Sequence, residues 1–71
     1  MSLKHIFTFP PHVTVIGMTF YRGKLLVATN DGLWEWDGEN EMMQHLNFHC
    51  YRNADGAEMI RAYHSATPWG L

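Results

Sequence analysis

Five histidines, one cysteine and a run of acidic residues are the side chains here that could do chemistry. His45, His49 and Cys50 make the densest cluster of metal-ligand types. On a helix, a spacing of four would bring His45 and His49 to one face. Residues 42–50, MMQHLNFHC, read instead as a strand. There four residues cover ~13 Å, too far for one zinc ion to bridge. His49 and Cys50 are adjacent and would leave opposite faces of the strand. His5, His12 and His64 are scattered, so no metal site and no cofactor are expected.

Asp31, Asp37, Glu39 and Glu41 could suggest calcium or acid–base work. Their spacing does not match a calcium loop, which alternates ligands and ends on a Glu at its twelfth position. Asp31 and Asp37 each precede a glycine, where Asp is favoured for backbone reasons alone. Ser2, Ser65 and Cys50 sit in no G-x-S-x-G and no P-loop, and a lone cysteine in an apolar strand is ordinarily inert. We therefore expect a protein that is not an enzyme.

Trp34 and Trp36 are two apart and so emerge on one face of their strand. They could form a platform for a glycan or peptide, together with the loop at 37–41. No ring of Asp, Asn and Arg lies close by in sequence, and packing between subunits is the preferred reading of the pair.

The elements that must carry these residues are strands. Residues 3–9 are rich in aromatic and β-branched types and stop at Pro10-Pro11. Residues 12–21 alternate, which sends Val13 and Val15 one way and Thr14, Ile16, Met18 and Phe20 the other. Gly23, in Arg22-Gly23, makes a tight turn. Residues 24–29, KLLVAT, form a nearly continuous apolar run, as in a strand covered on both faces. Asn30-Asp31-Gly32 is a hairpin turn whose residue types tolerate positive φ. Residues 33–36 return from it, Asp37-Gly38 opens the next loop, and 42–50 make a further strand. After Asn53-Ala54-Asp55-Gly56, residues 57–64 fit either a hairpin strand or a helix carrying Met59, Ile60 and Tyr63 on one face. The strand is preferred. Trp69 in the tail is costly to leave in water, so a docked tail is expected.

Composition sets the limits. Seventy-one residues make a single domain over 1–71, and a domain so small buries only about 60% of its unfolded surface. With Cys50 alone, no internal disulfide can help. Yet 46% of residues are hydrophobic and 14% aromatic, more apolar material than one small core can hide. Burial against other chains is the simplest resolution. The net charge of −2 with scattered lysines and arginines argues against nucleic acid. No apolar run approaches the ~20 residues of a membrane span, and Pro10-Pro11 interrupt the first apolar stretch before a signal-peptide core forms. A soluble protein, intracellular when made, is expected, with other protein chains as partners.

Residues 4–9, KHIFTF, echo residues 44–49, QHLNFH, with His5 matching His45 and Ile6 matching Leu46 at an offset of 40. Periods of 40–50 residues with four strands each mark propeller blades. Within that period, VIGMTFYRGKLLVATNDGLWEWDGE at 15–39 resembles one repeat of the propeller family of two-component sensor proteins, with GKLLVATNDGLWEWDG at 23–38 as the matching core. Extended over roughly 13–49, the resemblance implies an antiparallel meander of four to five strands shaped like one blade. The alternative is a small SH3-like barrel or roll. The blade would span 3–49, followed at 50–71 by a hairpin or short helix and a docking tail.

Family members carry many repeats per chain, and this chain has one, so a self-contained propeller is out of reach. A lone blade leaves two edge strands unpaired, and exposed edges recruit other strands. Residues 3–9 are accordingly expected to add to a neighbour's sheet, closing copies into a homo-oligomeric ring. The interface would be built from Ile6, Phe7, Phe9, Trp34, Trp36, Leu46, Phe48 and Trp69. A structural assembly protein follows, with a ring-shaped bacteriophage tail part in the virion as the setting that analogy suggests. Its rivals are a small binding module using Trp34 and Trp36, and a regulatory protein docking on an enzyme through Trp69.

Overall fold

The computed structural model describes residues 7–67. Four antiparallel strands run in sequence order, β1 (Val15–Tyr21), β2 (Lys24–Thr29), β3 (Gly32–Asp37) and β4 (Met42–Asn47), followed by one helix, α1 (Gly56–Ala66). The architecture is the expected meander, carrying one short helix on a face of the sheet.

Tight turns set the register. Arg22 and Gly23 both have positive φ, 52° and 77°, the pattern of a two-residue type I′ turn that matches strand twist. At the next hairpin Thr29 pairs with Gly32, so Asn30 and Asp31 are the loop. Neither has positive φ; that conformation falls on Gly32, at 129°. A Cβ there would overlap the Asn47 carbonyl and the His45 ring. Thr29 closes the loop: its hydroxyl donates to the Gly32 carbonyl (2.9 Å) and accepts from Asp31 N–H (3.0 Å). In the third connection the Asp37 carboxylate accepts from Glu39 N–H (3.0 Å) and from the Asn40 side-chain amide (2.7 Å). Those bonds hold its pKa below the usual carboxylate value, the Asn40 bond foremost.

Residues 57–64 are helical, which corrects the preferred strand. Asp55 decides the matter: it is an extended N-cap whose carboxylate accepts from Glu58 N–H at 2.8 Å, satisfying one of the four free N–H groups at a helix start. Met59, Ile60 and Tyr63 then share the buried side. The motif read as a turn is a cap.

The core lies between α1 and one face of the sheet. Leu26 and Ala28 of β2, Leu33 of β3, and Met59 and Tyr63 of α1 are buried together, with Tyr51 sealing the end. Tyr51 N–H donates to the Thr29 carbonyl at 3.2 Å, which ties the β4–α1 connection to the sheet. Glu35 is buried on this face as well, where Lys24 Nζ reaches its Oε1 at 3.2 Å. A carboxylate buried there calls for such a partner.

A bulge between Val15 and Gly17 interrupts the alternation of β1. Ile16 therefore turns to the helix side and packs on the core, while Val15, Met18 and Phe20 share the other face. The expectation that Ile16, Met18 and Phe20 point together fails by that one extra residue. Cross-strand pairing carries the same division into β2, so Leu25, Val27 and Thr29 face away from the helix.

Candidate docking face

The face of the sheet opposite α1 is assembled by two cross-strand rows. Met18, Val27, Trp34 and His45 lie in one, and Phe20, Leu25, Trp36 and Met43 in the other. Strand alternation puts every one of these on the same side. No Asp, Glu, Lys or Arg stands in either row.

The first row is covered by the chain itself. Asn30 holds the segment ahead of β1: its side-chain oxygen accepts from Thr14 N–H (2.8 Å), its amide donates to the His12 carbonyl (3.0 Å), and its own N–H donates to the Thr14 carbonyl (3.1 Å). Val13 N–H donates to the Pro10 carbonyl at 3.0 Å, turning the chain so that Phe7 and Phe9 reach Trp34. Phe9 meets the Trp34 ring edge-on at 5.2 Å, Phe7 lies 6.4 Å away, and the two phenylalanines contact each other at 5.1 Å. His45 stacks on Trp34 at 4.3 Å and 14°. Its Nε2 lies 2.7 Å from the Asp31 carbonyl, an acceptor only, so Nε2 carries the proton. Val27 keeps only 1% of its surface although it points away from the helix.

The second row is open. Phe20 is 78% exposed and Met18, at the margin of the covered row, 61%. Leu25, Trp36 and Met43 are half-buried. Phe48, just beyond β4, is 83% exposed and sits edge-on to His45 at 4.3 Å. Val15 and Phe7 complete the patch, which leaves Met42 as the one large exposed apolar side chain of the described residues that lies elsewhere.

The residues expected at an interface are therefore divided. Phe7, Phe9, Trp34, Trp36 and Phe48 come together on this face. Leu46 does not: it packs against the core beneath α1, on the side that plain alternation from Met43 and His45 gives it. Ile6 and Trp69 lie outside the described residues, as do residues 3–6 of the first expected strand, the His5 half of the repeat and the tail. The described part of that strand, Phe7–Phe9, has no strand pairing within the chain and lies as a strap across the face. Met18, Phe20, Leu25 and Met43 escaped the sequence reading as interface residues, although the period-two pattern of Met18 and Phe20 is the signal that marks them.

Chemistry-bearing side chains are dispersed. His49 packs edge-on to Tyr51, His64 lies 2.7 Å from the Tyr21 hydroxyl, and His12 is 3.9 Å from Asp31 at the surface. Cys50 is exposed. Among the described residues no group of three His, Cys, Asp or Glu could hold a metal ion, and no helix is long and apolar enough to cross a membrane.

No family model, curated protein or solved structure matches the chain.

Proposed function

We propose that this chain is a non-enzymatic assembly module, soluble and made inside the cell, which joins other protein chains through the face of its sheet opposite α1. The supporting observation is the concentration there of nearly every large apolar side chain that the described residues expose. Singly scattered apolar side chains are ordinary on a protein surface, whereas a contiguous patch marks an interaction site. Covering Phe20 alone contributes about 2–3 kcal/mol, enough for a few such side chains to set an affinity. The glycan-platform alternative is weakened by Trp34, whose ring is already engaged by His45, Phe7 and Phe9. On the analogy of propeller-like repeats we place the module among virion structural proteins.

Native mass spectrometry of the chain co-expressed with the products of neighbouring genes tests the docking reading. The wild type should appear in complexes, and a Phe20→Asp/Leu25→Asp variant should not. Complexes that survive the double substitution would remove the face from the account.

A further inference from the structure

We propose that the open face is covered by a second copy of this chain, packed face to face about a two-fold axis so that each strap lies on the other's bare row. This rests on the docking reading and names its partner.

Three observations lead to it. The first is area. Phe7 (38% exposed), Met18 (61%), Phe20 (78%) and Phe48 (83%) together offer about 500 Å² at ~200 Å² for a fully open large side chain. The half-buried Leu25, Trp36 and Met43 add the remainder of their surface, against the ~800 Å² per partner of a stable interface. A patch of about 500 Å² is at the upper end of what monomers expose and is the size that marks an interaction site.

The second is charge. With no Asp, Glu, Lys or Arg in either row, and with His45 stacked on Trp34, the face offers no fixed charge for a charged partner to match, and a charge brought against it would be buried unpaired. An identical uncharged face has no such cost.

The third is relief. The strap stands up from the row of Trp34, and the row of Phe20 and Trp36 beside it carries no strap, with Phe20 78% exposed. A two-fold rotation sets the raised half of each copy over the low half of the other, the self-complementarity that an isologous interface requires. Two sheets packed this way lie ~10 Å apart, a gap that aromatic side chains fill. The Phe7–Trp34 and Phe9–Trp34 contacts already show which groups this surface accepts. A ring built by packing blade face to blade face would need two open faces, and α1 occupies one. An isologous contact through the face that remains closes in pairs.

Sedimentation equilibrium from micromolar to hundreds of micromolar tests the proposal. The full chain should rise to twice its mass. Phe20→Asp, at a position too exposed to disturb folding, should stay at one chain mass with an unchanged far-ultraviolet spectrum. Phe7→Ala/Phe9→Ala should weaken the pair at least tenfold; undiminished pairing in that variant overturns the seating of the strap. A wild type of single mass throughout overturns self-association, yet leaves the docking reading standing if the same chain binds a different protein through Phe20. A dimer that Phe20→Asp does not disturb sinks both.

Discussion

The two faces of one four-stranded sheet are apolar for different reasons. Toward α1, Leu26, Ala28 and Leu33 are buried by Met59 and Tyr63, and the one charge admitted there, Glu35, is met by Lys24. Away from α1, side chains of the same kind stand at the same pleat positions, but only the row of Trp34 is covered, by a strap of two phenylalanines. A core face and a docking face are thus distinguished by what else the chain supplies to cover them, not by hydrophobicity.

Substitutions can break that contrast. The largest effect is expected at Leu33, which is fully buried. Leu33→Ala should cost about 2–5 kcal/mol, a fall in Tm of roughly 10 °C or more for so small a domain, whereas Phe20→Ala should change Tm by no more than a few degrees. Calorimetry of both variants measures the difference; equal losses would mean that Phe20 belongs to the fold.

Lys24→Met should cost less, about 1–2 kcal/mol, because Lys24 is partly exposed and water substitutes for some of its bond to Glu35. The pH profile identifies the cause. Lys24 has its pKa raised, first by the Glu35 hydrogen bond, so its contribution is complete below the unfolded value near 10.5 and is lost as pH climbs through the folded value. The wild type should show that alkaline loss in denaturant titrations, and Lys24→Met should not.

Asn40→Ala is the smallest expected change. Asp37 is held low chiefly by Asn40, so its stabilising bond is present above the unfolded value near 3.8 and disappears as pH falls through the folded value. Removing Asn40 should raise the Asp37 pKa toward 3.8 in a carboxyl NMR titration, leaving the association of the open face untouched.

The strands were readable because their signals are local. KLLVAT at 24–29 is β2 to the residue; the turn residues at 22–23 and 30–31 fall between strands as expected, while Gly32 and Asp37 are the first and last residues of β3. The helix was missed because Asp55-Gly56 fits a turn and an N-cap equally well in sequence; the choice depends on whether Met59, Ile60 and Tyr63 find a sheet to cover. The side of Ile16 was unreadable because the bulge in β1 inserts a residue that the alternation cannot announce. As for the candidate face, Trp34 and Trp36 were recognised, but the strap was not. An apolar segment before two prolines reads as a strand until the Asn30 side chain is seen gripping Thr14 and His12.

The most direct test is methionine-methyl NMR with a soluble nitroxide, followed through a dilution series. Met18 and Met43 report the open face, Met59 the helix side and Met42 the exposed control. Met59 should be protected throughout and Met42 broadened throughout, while Met18 and Met43 pass from broadened to protected as concentration rises. If Met18 stays as accessible as Met42 at every concentration, the face is not an interface between copies.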